Sequence, residues 1–313
     1  MTPAVLAVDV GGTKIASAII AQNASILWSD TSPTHAGEET SGAERLRQVV
    51  IAALNSSGVE PKAIGIAIPA VLDRMNDSVL WAPNLPSWNG LDMRSTLRSV
   101  LPVPVAIEYD GQAAAIGEGW AGAGVGVDDF VVVTVGTGIG CGLVVNGSVV
   151  RGRSRLAGAA GWMVLAEDGS SWEFLATSRG IYELLREALD HHPRSPLADV
   201  ADPGPEAVFE AFKTGDPAAV ETIDNLARRL GLGIANIVSL LNPSRIILTG
   251  GIGSHGAALL PGIVSTVGEY AQPVASQDLE ILTSPLDSPS TLFGAAKSAL
   301  CAMEDDHSVD EKG

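Results

Sequence analysis

Residues Val5–Ile20 read VLAVDVGGTKIASAII. An apolar run, Val5 to Val8, is broken by one carboxylate, Asp9. Then come the turn Gly11-Gly12-Thr13-Lys14 and a second apolar run, Ile15 to Ile20. This pattern predicts a β-hairpin from a buried sheet. The glycines let the chain turn sharply and let a ligand approach bare backbone N–H groups. Those amides, with the Thr13 hydroxyl and the Lys14 ammonium, suit an anion such as phosphate. Asp9, at the strand end, suits a magnesium ion held directly or through water. The competing reading is a plain hairpin with a polar turn. The spacing of a P-loop is absent. A second copy favours the phosphate reading: Val131–Val145 reads VVVTVGTGIGCGLVV, again strand, Gly-rich turn, strand. Val8-Asp9-Val10-Gly11 aligns with Val133-Thr134-Val135-Gly136. Two such hairpins suggest an internally duplicated α/β fold with a nucleotide held between its halves.

The chain has 313 residues, 46% of them hydrophobic, enough for two domains with real cores. Its net charge of −17 argues against a nucleic-acid surface, which needs clustered Lys and Arg. Cys141 and Cys301 are the two cysteines. They fit a reduced, cytoplasmic protein and cannot build a thiolate zinc site. The N-terminus lacks a basic n-region and its apolar run is interrupted by Asp9, so no signal peptide is expected. Phe130–Val150 carries no charge and is long enough for a bilayer, but its spaced glycines, threonines, Asn146 and Ser148 fit a soluble hairpin better.

Further along, the periodicity predicts helices over 44–55, 111–121, 178–190 and 218–241, and strands over 62–69, 104–109 and 245–248. The stretch 70–89 is rich in Pro, Asn, Asp and Trp and reads as loop. It carries Trp81-Ala82-Pro83-Asn84-Leu85. Amide and aromatic side chains on a loop suit a sugar, though an ordinary turn explains the composition as well. Asp110 sits between a strand and a helix, where an N-cap is the common role. Glycines at 136, 138, 140 and 142 clear one face of the second hairpin around Gly136-Thr137-Gly138. A strand running into Thr249-Gly250-Gly251 again favours close ligand approach. Residues 191–205 read as a surface linker, and 304–313 as a frayed charged tail.

From Val5 to about Leu300, the chain resembles the ROK family of sugar kinases and repressors, within the actin-like ATPase superfamily. The resemblance is carried by DVGGTK at Asp9–Lys14, Ala82-Pro83-Asn84-Leu85, Ala113-Ala114-Ala115-Ile116-Gly117-Glu118 after Asp110, Gly136-Thr137-Gly138, Thr249-Gly250-Gly251 and Leu292-Phe293-Gly294-Ala295-Ala296. It implies two ribonuclease H-like α/β domains with an interdomain cleft. A small domain over 1–108 would be completed by a C-terminal helix near 291–303, and a large domain would span 109–290. It implies ATP and magnesium as cofactors, Asp110 as the general base toward a sugar hydroxyl, and Asn84 as a sugar contact. Asp9, Gly11, Gly12, Thr13, Lys14, Gly136, Thr137 and Gly138 would surround the phosphates, and Gly250 and Gly251 the adenosine. A cytoplasmic homodimer, with no nucleic-acid or membrane partner, completes the expectation.

The chain also departs from the family. After the second hairpin, ROK proteins read G-x-A-G-E-I-G-H and then C-x-C-G-x-x-G-C-x-E, where the His and three Cys bind structural zinc. Here the sequence is Gly158-Ala159-Ala160-Gly161-Trp162-Met163-Val164, and the cysteine loop is cut to Glu167–Glu173. Trp162 stands where the His would be, and only Glu173 matches, as the last Glu. His35, His191, His192, His255 and His307 match no zinc position, so no zinc is expected. Tyr109 replaces an Asn before the base, and Pro69-Ala70 replaces Pro-Gly. Phosphate and base positions are kept while sugar-reading positions change, which points to a shifted acceptor such as an unusual sugar or cyclitol. Trp162, Tyr109, Asn84, Glu173 and Asp110 are the candidate substrate contacts. The rival expectation is a catalytically inactive sugar sensor. ROK repressors are its precedent, but their N-terminal DNA-binding domain does not fit in the few residues before Asp9.

Overall fold

A computed structural model describes residues 3–35, 40–73 and 75–310, with side chains to 305. The chain divides into two compact units. The first comprises 1–126, 149–158 and 285–313; the second comprises 127–148 and 159–284.

The first unit is built on a five-stranded sheet in the order β3-β2-β1-β4-β7. These strands are β1 (Ala4–Val10), β2 (Lys14–Ala21), β3 (Ile26–Pro33), β4 (Ile64–Ile68) and β7 (Val105–Tyr109). β1 and β2 form the expected antiparallel hairpin, while β1, β4 and β7 run parallel. Alternate residues of β1 face opposite ways. Leu6, Val8 and Val10 join a core with α1 (Gly42–Ser57) and α2 (Met93–Arg98). Val5 and Ala7 join one with α3 (Asp110–Ala121) and the last helix, α10 (Ser290–Asp310). α3 and α10 cross backbone to backbone. A Cβ on Gly294 would lie 1.7 Å from the Ala113 carbonyl oxygen, and one on Gly117 would lie 2.0 Å from that of Ser290. This packing puts α3 with the first unit, so the division falls near 126 where the sequence suggested 108.

The second unit repeats the plan with the sheet order β10-β9-β8-β11-β12. β8 (Phe130–Val135) and β9 (Ile139–Val145) are the second hairpin, followed by β10 (Ser148–Val149). β11 (Arg245–Thr249) runs parallel to both β8 and β12 (Glu280–Thr283). Around this sheet are α4 (Trp172–Ala176), α5 (Ser178–His191), α6 (Pro205–Lys213), α7 (Pro217–Leu241), α8 (Gly250–Gly253) and α9 (Gly256–Tyr270). Asn242 ends α7 in the left-handed conformation, at φ +47°.

Several expectations need correction. The stretch 70–89 is not all loop: β5 (Val71–Leu72) and β6 (Val79–Trp81) pair in it, and a 3-10 turn spans Pro86–Trp88. The linker 191–205 contains the 3-10 turn Pro196–Asp199, and Pro205 opens α6 at its first turn, where a missing N–H costs nothing. The tail does not fray at 304, because no Gly or Pro stops α10 before Asp310. Residues 311–313 and the His307 side chain lie outside the described residues. Among the described residues no helix is long and apolar enough to cross a membrane.

Candidate functional site

In the first unit, the hairpin turn is closed by a 2.9 Å bond from Gly11 N–H to the Lys14 carbonyl, with Gly12 and Thr13 at its tip. Thr34 pins it: its N–H donates to the Thr13 carbonyl and its hydroxyl donates to that of Gly11 at 2.7 Å. No acceptor among the described residues takes the Gly12 or Thr13 amide. The turn abuts the Asn84 loop, since a Cβ on Gly12 would lie 3.5 Å from that of Asn84.

The parallel register places Asp9 level with Ala67 and Ala67 level with Glu108. Two strand spacings, about 10 Å, therefore separate Asp9 from Glu108 across the sheet. Tyr109 and Asp110 follow at the same carboxyl end, where parallel sheets hold their ligands. Asp9 is half-buried at the end of β1, and desolvation pushes its carboxyl up to about 6, against the lowering effects of the Thr291 hydrogen bond and the Lys14 charge. Thr291 Oγ1 donates to Asp9 Oδ2 at 2.7 Å, and Ser298 Oγ donates to Glu108 Oε1 at 3.2 Å. One face of α10 thus serves two carboxylates, since residues seven apart share a face. Tyr109 is the N-cap residue of α3 and Asp110 its first helical residue, so Asp110 is not the cap. One oxygen of Asp110 accepts from Gly111 N–H at 2.7 Å.

In the second unit, the turn Gly136–Gly138 is closed by Gly136 N–H on the Gly138 carbonyl at 3.0 Å, and Ser178 N–H donates to the Gly136 carbonyl. No acceptor among the described residues takes the Thr137 or Gly138 amide. Glu173, in the first turn of α4, accepts from Ile139 N–H at 2.8 Å. A Cβ on Gly138 would come within 2.7 Å of that carboxylate oxygen, so a larger residue there would displace the Glu173 carboxylate. Glu173 therefore supports the second glycine turn, an attachment the sequence did not indicate. Arg179 lies over the Phe174 ring and pairs with Glu183, leaving Glu173 to the hairpin. Gly250 sits at φ +87°, and a Cβ there would meet the Val135 carbonyl oxygen at 2.6 Å, so β11 enters its turn against the end of β8. Gly251 follows in α8 with open space above it. Trp162, ending a 3-10 turn, is 68% exposed.

The described residues contain no group of three His, Cys, Asp or Glu able to hold a metal. Asp9, at the end of β1 beside the glycine turn, is a single carboxylate of the kind magnesium takes one or two of, with waters and substrate phosphates completing its shell.

A family model described as "ROK family" matches residues 5–301. The chain belongs to the ROK family. Among curated ROK relatives, a glucokinase of Streptomyces coelicolor is 28% identical, covering 94% of this chain and 96% of that protein. A kanosamine kinase of Amycolatopsis mediterranei is 28% identical over 95% and 96%. A xylose repressor of Bacillus spizizenii is 27% identical over 74% of this chain and 59% of its own. The crystal structure of a ROK glucokinase from Streptomyces griseus, in complex with glucose and AMPPNP, superposes with a TM-score of 0.84 at 28% identity, covering 95% of this chain and 99% of that one. The two-sheet α/β architecture is accordingly that of the ROK actin-like ATPase fold.

Thr34, Ser178 and Thr291, which shape the two turns and Asp9, escaped the sequence reading. Thr34 lies in a stretch without periodicity. Thr291 adjoins a ROK hallmark, Leu292-Phe293-Gly294, but nothing in its neighbours says which carboxylate it meets.

Proposed function

We propose that the protein is an ATP-dependent kinase that phosphorylates a hydroxyl of a sugar or sugar-like polyol. One observation carries this most: Asp110 stands at the same carboxyl sheet end as Asp9 and the glycine turn, the arrangement expected of an acceptor base beside a phosphate cradle. The likeness to glucokinases and a kanosamine kinase supports the same reading. Asp110 takes the proton of the acceptor hydroxyl, whose oxygen attacks the γ-phosphorus of ATP in line as the bond to the β–γ bridging oxygen breaks and ADP leaves. In the first unit the amides of Gly12 and Thr13, with Lys14, serve phosphate; in the second those of Thr137 and Gly138 serve phosphate and Gly250 and Gly251 the adenosine. Magnesium, held by Asp9 directly or through water, supplies neutralisation of phosphate charge. Positioning carries most of the rate in such transfers.

Asn84, Tyr109, Trp162 and Glu173 read the acceptor. One Glu173 oxygen is engaged by Ile139, leaving the other for a hydroxyl. Indole only donates, so Trp162 offers an apolar wall in place of an acceptor. Tyr109 and Trp162 favour an acceptor with altered polar groups, such as an aminosugar, an N-acetylhexosamine or a cyclitol. A cytoplasmic homodimer is part of the proposal by family likeness.

The second reading is a sugar-binding sensor without turnover, favoured by the similarity to a repressor. Coupled ADP release over hexoses, aminosugars, N-acetylhexosamines and cyclitols separates the two. Acceptor-dependent turnover supports the kinase. Sugar binding without turnover on any acceptor supports the sensor.

A further inference from the structure

The segment 149–158, VVRGRSRLAG, joins the second unit's chain at both ends yet packs with the first unit. Three tethers hold it there. Arg151 Nη2 donates to Glu108 Oε1 at 2.9 Å, and Arg155 Nη1 donates to Asp77 Oδ1 at 2.9 Å. The Arg155 carbonyl accepts from Gln112 Nε2 at 3.0 Å. Glu108 and Gln112 bracket Tyr109 and Asp110, so the strap is tied on both sides of the candidate base.

Asp77 lies in the turn between β5 and β6, and β6 leads into the Asn84 loop. That loop folds back on β6, with Gly90 N–H donating to the Val79 carbonyl and Ala82 N–H to Asn89 Oδ1. Asp77 and the Asn84 loop thus form one piece. The Asp77 side chain is 12% exposed and sits between two guanidiniums, since its other oxygen accepts from Arg94 Nη2 at 2.5 Å. Arg94 also donates to the Val105 carbonyl. Both partners of the Arg155–Asp77 pair hold left-handed backbone, at φ +56° and +57°. Such conformations persist in non-glycine residues only where the surroundings over-determine them.

Gln112 is fully buried, and its Oε1 has no hydrogen-bond partner among the described residues. A methionine of similar volume would remove that unpaired oxygen but would leave the Arg155 carbonyl without its donor. What the glutamine adds is the Nε2–H donor that Arg155 takes. Arg155 therefore reaches two separate pieces, the sugar loop through its guanidinium and the base helix through its carbonyl.

We propose that Arg155 is a positioning residue that fixes the Asn84 loop relative to Asp110, and so sets where the acceptor hydroxyl meets its base. The proposal rests on the roles given above to Asn84 and Asp110. A misplacement of about 1 Å at a reacting centre costs on the order of 10²-fold in rate.

The test compares wild type with Arg155→Met, Arg155→Lys, Gln112→Met and the Arg155→Met/Gln112→Met double variant. Each is measured for kcat, acceptor KM, ATP affinity without acceptor, melting temperature and hydrogen exchange. The two single Met variants should lower kcat/KM for the acceptor by about 10–100-fold and leave ATP affinity within about twofold of wild type. The double variant should be no worse than the poorer single one, because both break one strap. Arg155→Lys, which keeps the charge toward Asp77, should recover part of the loss. Faster exchange in Arg155→Met should appear both in 79–90 and at the start of α3. Unchanged kinetics with a lowered melting temperature, losses that multiply, or faster exchange in only one of the two regions overturns the strap. Absence of turnover in wild type overturns the kinase reading instead, and the exchange measurement still decides the strap.

Discussion

Thr291 and Asp9 are 282 positions apart in the chain and share a 2.7 Å hydrogen bond. This bond and the Lys14 charge oppose the burial that raises the Asp9 carboxyl to about 6. The folded protein thus holds a proton that the unfolded chain releases near 3.8. Stability falls as pH climbs from about 4 to about 6 and stays lower above, by up to about 3 kcal/mol. Asp9→Asn should therefore melt higher than wild type at pH 7.5 and equally at pH 4, while losing magnesium-dependent nucleotide binding. A variant that melts lower at both pH values would contradict this account.

Asp110→Asn should lower kcat by at least ~10²-fold, the lower range for general-base catalysis. ATP binding and melting temperature should hold, because the amide oxygen still accepts from Gly111 N–H. Near-normal turnover would reduce Asp110 to a local backbone acceptor.

Glu173→Ala removes a charged acceptor from the Ile139 amide and loosens the hairpin. ATP affinity should weaken along with acceptor affinity, and stability should drop by about 1–3 kcal/mol. Glu173→Gln keeps an acceptor oxygen and should retain ATP affinity while raising acceptor KM by roughly tenfold, equivalent to ~1.4 kcal/mol. Calorimetry with nucleotide and acceptor separately checks both variants. Unchanged acceptor KM in Glu173→Gln would confine Glu173 to the hairpin.

Purified protein should contain no stoichiometric zinc, since the family's His and Cys positions hold Trp162 and a shortened loop. Its melting temperature should be indifferent to a zinc chelator. Elemental analysis finding about one zinc per chain would overturn the alignment of 161–173.

Both hairpins were legible because glycine clusters interrupt apolar runs of strand length. The family motifs then singled out Asp110 and Asn84 as candidates. β3, ILWSDTSP, was not legible: it is a largely exposed edge strand whose polar residues carry no alternation. α6 was hidden because Pro205 looks like a linker residue in isolation, although a helix accepts proline in its first turn. The tethers Glu173–Ile139, Gln112–Arg155 and Arg155–Asp77 span 34, 43 and 78 positions. Pairings of this kind are decided by how the elements pack, which local patterning does not encode.

The first unit takes its strands from the beginning of the chain and α10 from its end. During synthesis, β1 and β4 emerge long before the helix that covers Val5, Ala7 and Ala67 and donates to Asp9. The unit begun first should therefore be completed last, with one sheet face open until the ribosome reaches Ser290. A chain stopped at 284 should leave β1 and β4 open to protease and bind an apolar dye, while 127–148 and 159–284 stay protected. Equal protection of both units in that truncated chain would show that the early strands close without the final helix.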